Sequence, residues 1–494
     1  MNRFVCLVLF ASFGGALQPS TSFAAAPGFK VTTDKTVDTT SLESIVKDVL
    51  ARSGAKTNDE KAIAIYEYLH NTIFHFAYPT EAAPQSVGPL KVINAYGWSL
   101  CGGQHTILKA LYEANGWKCR YLGWPGHTTI EVFYDGRWHY LDVFLKCYYW
   151  TKDKSHIASQ EEIANDPSIV LDAPREGRAA RQNLCCGDLA ADVVEGCKAR
   201  RVEGDQQGWA SITWRDQNYS PILNLPSGAA LRLDWKADEN GLAGKSADGS
   251  VVTKLRPQHT CGIKDFRGDT VLGPMLEHYG PRNWSNGALT YTPDFSKPAD
   301  LADIQLTGAK ALGGKLVANG KGVAVFKLPL PYPYVSGSLA LAFDGGEGKT
   351  FVSTDAGKSW KESGPDITKE IKQKYDLWLK IEFPATLTRF GLTAMVEHNR
   401  SALPYLVPGK NAITVSVDPK ELSKSKDQVL IVTYVYQEAI APGKRQQFDG
   451  QGLKYGEAKR ITKEVTSLPF TFVIDVGGNT PPKMIALERA VRAR

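Results

Sequence analysis

Residues 98–104 read Trp98-Ser99-Leu100-Cys101-Gly102-Gly103-Gln104, and two further runs follow closely, Gly126-His127-Thr128-Thr129-Ile130-Glu131-Val132 and Trp138-His139-Tyr140-Leu141-Asp142-Val143. After Cys101, the apolar residues Leu108, Leu111 and Tyr112 fall at helical spacing and Asn115-Gly116 ends the run, so a helix is expected to begin at Cys101. Alternating runs predict strands over 118–123, 128–134 and 137–144. The last two are joined by Asp135-Gly136, a strong signal for a two-residue hairpin. Such a turn sets His127 opposite Phe144 and Asp142 opposite Thr129. His127 and Asp142 then share a face, one diagonal step apart, while His139 has the other parity. A thiol opening a helix, an imidazole on the next strand pair and a carboxylate beside it are the parts of a cysteine nucleophile site.

Upstream, Leu42, Ile45, Val46, Val49 and Leu50 predict an amphipathic helix over 41–52. A second is expected from Thr57, whose pairing with Glu60 forms a capping box, and it should run until Pro79. Helices first and an antiparallel sheet second make an α+β unit.

Residues 95–145 resemble the transglutaminase-like superfamily of cysteine enzymes. The resemblance rests on Cys101 opening a helix through Leu108-Lys109-Ala110-Leu111 to Asn115-Gly116-Trp117, the strand Cys119-Arg120-Tyr121-Leu122-Gly123, His127 leading into Ile130-Glu131-Val132, and Gly136-Arg137-Trp138 leading to Leu141-Asp142. It implies a papain-like fold in which Cys101 is the nucleophile, His127 the base and acid, and Asp142 the residue that orients His127. Two positions depart from the family: Thr129 stands where an aromatic is common, and Val143 where a proline usually follows the aspartate. Both bear on the substrate groove.

Gly102 and Gly103 leave room for a substrate backbone, and the Cys101 amide is an expected oxyanion donor. Trp98 and Gln85 are candidates for a second donor. His105, one helical turn past Cys101, competes as base or, with Cys101 and His127, as metal ligand. A soft-metal site would want a further ligand and none is suitably spaced, so neither metal nor other cofactor is expected.

Arg3, the apolar stretch from Phe4 to Leu17 and the small residues before Ala24 read as a secretory signal peptide over 1–24, with cleavage after Ala24 fitting better than after Ala26. The stretch is short for a bilayer span, so the mature chain is expected to be exported, secreted or periplasmic, without a transmembrane segment. Cys6 leaves with it, and seven of the eight cysteines remain. An odd count nominates Cys101 as the free thiol, with Cys119, Cys147, Cys185, Cys186, Cys197 and Cys261 expected in three disulfides of undetermined pairing. The spacing of Cys185-Cys186 and Cys197 does not suit a structural zinc.

The chain has 494 residues and a formal net charge of +6. That mild basicity, without a basic run interleaved with aromatics, argues against a nucleic-acid partner and permits an acidic cell surface. The organisation expected is a transglutaminase-like catalytic domain over 25–155, a cysteine-bearing connector over 156–205, a β-rich domain over 206–332, a β-sandwich domain over 333–480 and a tail over 481–494. The later units read as all-β because short alternating runs are punctuated by Gly and Pro. The Arg-rich piece from Arg175 to Arg181 reads as a solvated connector. Ser353-Thr354-Asp355-Ala356-Gly357-Lys358-Ser359-Trp360 resembles a structural Asp-box turn. Asn283-Trp284-Ser285 fits a glycosylation acceptor.

These readings point to an exported thiol enzyme acting on amide bonds of a protein or peptide through a Cys101 thioester, with transfer to water or an amine and a lean towards hydrolysis. The alternative is a catalytically silent cell-surface or glycan-binding protein, with Trp360, Trp378, Tyr405 and Tyr436 as candidate sugar platforms.

Overall fold

A computed structural model describes residues 28–75, 78–79, 87–145, 147–173, 190–202, 219–236, 244–245, 251–252, 284–417, 427–441, 454–465 and 467–494. The expected leader, Gln85, Arg175 to Arg181, Cys185, Cys186, Cys261 and Asn283 lie outside the described residues.

Strand β1 (Phe29–Thr33) is followed by α1 (Leu42–Ser53) and α2 (Asn58–Thr72). Reciprocal caps start both helices: Ser41 with Ser44, and Thr57 with Glu60. Helix α2 stops well before Pro79. Ile73 is already extended at φ −117°, ψ 128°, and Phe74–His75 pairs in parallel with Trp98–Ser99. Helix α3 (Cys101–Ala114) then buries Gly102 to Leu108, Leu111 and Tyr112, so it is a core helix rather than a surface one. It packs on β2 (Lys118–Trp124), β3 (His127–Tyr134) and β4 (Arg137–Asp142), to which β5 (Cys147–Tyr148) adds at one edge.

The hairpin register is as the turn dictates. Tyr134 pairs with Arg137 and Glu131 with Tyr140, and Asp135 and Gly136 take φ of +50° and +78°, as a type I′ turn requires.

The stretch read as a connector is part of this unit. Helices α4 (Gln160–Asn165) and α5 (Ala190–Lys198) bury Ile163, Val193, Val194 and Cys197 with Tyr140, Cys147 and Tyr149 against the second face of the sheet. Strand β6 (Arg201–Val202) closes the other edge on β2, giving an antiparallel order β5-β4-β3-β2-β6.

The rest is built on large antiparallel sheets. Its strands are β7 (Ala229–Asp234), β8 (Trp284–Tyr291), β9 (Ile304–Leu312), β10 (Lys315–Pro329), β11 (Tyr334–Asp344), β12 (Lys349–Ser353), β13 (Lys361–Ser363), β14 (Asp376–Phe383), β15 (Thr386–Asn399), β16 (Gly409–Val417), β17 (Gln428–Ala441), β18 (Lys454–Val465), β19 (Phe470–Val476) and β20 (Lys483–Ala493). Twelve of these form one sheet in the order β13-β12-β14-β10-β15-β8-β7-β20-β17-β18, with β9 on β10 and β11 on β15.

Three expected boundaries therefore fall. Strands from both sides of residue 332 share this sheet and one apolar core, so no break separates the 206–332 and 333–480 units there. The expected tail is β20, an interior strand between β7 and β17. Strand β1, expected in the catalytic unit, pairs with β16, which in turn pairs with β19. Pairing between residues this far apart leaves no local trace in the pattern that sequence periodicity reads.

The Asp-box turn joins β12 to β13. Asp355 accepts from the Ser359 amide and hydroxyl, and Ser353 Oγ accepts from the Gly357 amide, a self-contained structural turn. No helix among the described residues is long and apolar enough to cross a membrane.

Candidate active site

Cys101 is the first residue of α3, and Leu100 at the N-cap offers no side-chain hydrogen bond, so the first-turn amides are not consumed by a cap. Gly102, Thr128 and His127 lie around the sulfur and all act to lower its pKa. His127 Nε2 donates to Asp142 Oδ2 at 2.7 Å. With Nε2 engaged, Nδ1 is the nitrogen left to face the thiol. The three residues singled out in the sequence are thus brought together in the order thiol, imidazole, carboxylate.

Asp142 is fully buried and anchored from all sides. Oδ1 accepts from the Leu145 amide at 2.7 Å, and Oδ2 also accepts from the Tyr140 hydroxyl at 3.0 Å. His139, of opposite parity, donates from Nδ1 to the Ile157 carbonyl and stacks on Tyr134, away from this cluster.

Burial pushes the Asp142 carboxyl up, yet the His127 and His105 imidazoles more than offset it and hold the group well below the usual carboxylate range. Burial pushes His127 down, but the Asp142 charge and hydrogen bond prevail, with Cys101 adding to them, and raise it to about 10. The Cys101 thiol is driven up by burial and down by the adjacent His127 imidazole and its charge, and the net result is a lowered value. Both directions favour the thiolate–imidazolium form of the pair.

Aromatic rings wall His127 in. Trp124 lies 5.2 Å away, Phe144 5.3 Å and His105 5.5 Å between ring centroids. Trp124 is fixed by donating Nε1 to Gln160 Oε1 at 2.8 Å, and Gly196 on α5 lies flush against its ring. A Cβ at Gly196 would stand 2.2 Å from Trp124 Cε3.

Two expectations change here. Trp98, a candidate oxyanion donor, is buried and donates Nε1 to Glu397 Oε1 at 3.1 Å, so its N–H is already spent. Cys119, Cys147 and Cys197, expected in disulfides, are free thiols. Cys147 and Cys197 sit in the apolar layer behind the sheet, and Cys119 Sγ lies 3.9 Å from the Lys109 carbonyl.

What the sequence undervalued is His105. It is fully buried, its Nδ1 donates to the Cys101 carbonyl at 2.8 Å, and its Nε2 lies 3.4 Å from Asp142 Oδ1. Its spacing of four from Cys101 on one helix was the available signal. His105, His127 and Asp142 offer ligand atoms within 4.8 Å of one another, but proton bonds to Asp142 and to the Cys101 carbonyl account for this grouping as well as an ion would.

No known protein family and no curated protein matches the chain. Among solved structures, the crystal structure of Parabacteroides merdae beta-glucuronidase is similar at 14% identity, over 31% of this chain and 28% of that one, with a TM-score of 0.11. The matched part spans under a third of that protein's length, and so low a score carries no argument about fold or chemistry.

Proposed function

We propose that this protein is an exported thiol enzyme of transglutaminase-like type that acts on amide bonds of a protein or peptide. One geometric observation carries the reading: Cys101 opens a helix, and beside it the His127 imidazole bonds through Nε2 to a fully buried carboxylate at 2.7 Å. The helices preceding an antiparallel sheet support the family, and the leader read in residues 1–24 supports export.

In this reading the Cys101 thiolate adds to the amide carbonyl carbon, and charge moves to the carbonyl oxygen near the first-turn amides of α3. The C–N bond breaks as His127 delivers its proton to the leaving nitrogen, which leaves a thioester on Cys101. Water or an amine then adds to the thioester while His127 takes its proton, and the C–S bond breaks to restore the thiolate. Asp142 keeps His127 in the tautomer that faces the sulfur and stabilises its cation.

The test has two parts. Unreduced protein treated with iodoacetamide should carry the adduct at Cys101 below neutral pH. Wild type and Cys101→Ala should then differ in ammonia release or peptide cleavage across a peptide panel. Selective labelling without turnover on any amide would favour the silent glycan-binding alternative, and absence of labelling would remove the thiol chemistry altogether.

A further inference from the structure

Asp142 is shared by two imidazoles, and the second is not needed to complete a cysteine–histidine–aspartate relay. His105 Nδ1 faces the Cys101 carbonyl at 2.8 Å, and a carbonyl oxygen only accepts, so Nδ1 carries a hydrogen. His105 Nε2 approaches Asp142 Oδ1 at 3.4 Å, both side chains having no solvent exposure, and it has no aligned hydrogen bond to that oxygen or to any other atom. An ionised carboxylate also only accepts. A bare Nε2 lone pair would therefore oppose carboxylate lone pairs in a dry site, an unfavourable contact that a second hydrogen turns into an ion pair.

The charge balance agrees. The titratable groups around His105 are Asp142 on β4, His127 on β3 and Cys101 on its own helix. Thiolate, imidazolium and carboxylate sum to one buried negative charge, and a cationic His105 cancels it.

We infer that His105 is a doubly protonated positioning residue that shares Asp142 with His127 and ties that carboxylate to the backbone of the nucleophile. This deepens the thiol reading of the site and rests on it for its catalytic meaning, though not for its protonation.

Two measurements test it. In histidine-15N-labelled wild type, the resonance lost in His105→Gln should show both nitrogens protonated at pH 7; a single protonated nitrogen overturns the inference. In His105→Gln, which keeps a neutral donor but loses the charge, the acid limb of Cys101 alkylation should move up by about 1 pH unit. An unmoved limb in a folded variant overturns it too. Because neither readout uses turnover, a chain that passes both yet cleaves no amide would sink the enzymatic reading and leave His105 as inferred.

A separate observation, in the β-rich part, points to a binding site. Arg489 on β20 pairs across the sheet with Leu231 and Val432, both fully buried, so it points into the core, and it is 5% exposed. Its neighbour Glu488 serves Arg232 and Arg460, whereas Arg489 makes no ion pair among the described residues and its Nε and Nη2 have no hydrogen-bond partner. It lines a cavity with Lys30, Asp38, Asn94, Tyr332 and Thr40, and the one carboxylate there, Asp38, is held by Lys30 at 2.7 Å. A buried guanidinium without a counter-charge is costly, and a planar fork of donors suits an oxyanion.

We propose that this cavity binds a small oxyanion at Arg489. At fixed ionic strength, inorganic phosphate or sulfate should raise the melting temperature of wild type and leave Arg489→Met unchanged. An equal response in both, or none in wild type, overturns the proposal. Should the variant not fold, crystals of wild type soaked in selenate decide: an anomalous peak beside the guanidinium supports the site, and water alone there removes it.

Discussion

Trp98 Nε1 donates to Glu397 Oε1 at 3.1 Å, with both side chains buried and 299 positions of sequence between them. The residue three places before Cys101 is thus held by β15 of the large sheet. Asn399 on the same strand adds to this by donating Nδ2 to the Ile93 carbonyl at 2.6 Å, just ahead of the Trp98–Ser99 strand. Trp98→Phe removes the indole N–H and part of a buried ring, and should cost at least about 1 kcal/mol. Chemical denaturation measures the loss, and an unchanged midpoint would show that Glu397 does not hold the site.

The helical unit should not fold by itself. A fragment ending at residue 202 would lose Glu397, Asn399 and the β16 partner of β1, while uncovering apolar surface that packs on Val335 and Met395. Expression of residues 25–202 is expected to give insoluble or unfolded material, read by circular dichroism and by indiscriminate labelling of Cys119 and Cys147. A cooperative, selectively labelled fragment would contradict this.

Thiol reactivity should depend on pH in a way that separates Cys101 from every other described cysteine. The alkylation rate follows the thiolate, so the Cys101 limb should fall off with acid below the ordinary thiol value of about 8.5, in line with its lowered value. Turnover also needs protonated His127 and should decline as pH rises through about 10, giving a bell. Cys119, Cys147 and Cys197 are pushed up chiefly by burial and should stay unlabelled in the native protein. Adduct mapping by mass spectrometry across pH 5–10 checks both limbs, and comparable labelling at Cys119 would count against the assignment.

Asp142→Asn keeps the size of the side chain but removes the charge that holds His127 as a cation. Turnover should fall by about 10⁴-fold, and the acid limb of Cys101 labelling should move upward because the imidazolium beside the sulfur is lost. Circular dichroism should be unchanged. Labelling at wild-type rate near pH 6 would show that Asp142 does not govern the pair.

Gly196→Ala probes the wall behind His127. The new methyl would stand 2.2 Å from Trp124, so α5 or the indole must move, at about 1–3 kcal/mol. Because Trp124 abuts His127, the variant should lose reactivity at Cys101 in proportion beyond its loss of stability. Equal stability to wild type would mean that α5 yields freely.

The local chemistry was largely legible in the sequence. Caps at Ser41 and Thr57, the helix start at Cys101 and the Asp135-Gly136 turn are short-range signals, and the register they set brings His127 onto Asp142. Strand partners were not legible: nothing near Phe29 announces Val417, and nothing near Ala486 announces Asp234. His105 fell between these cases. Its helical offset from Cys101 was visible, but its approach to Asp142 depends on how α3 lies on β4. The cysteine count misled because parity is a rule about compartments and carries no geometry.

The place of β20 also orders events in time. Strands β17 and β18 join the rest of the large sheet through β20, so that sheet stays in two pieces until residues 483–493 have left the ribosome. Glu397 and Asn399 lie on β15, in the piece that is already joined without β20, so the brace behind Trp98 can form while the closing strand is still awaited.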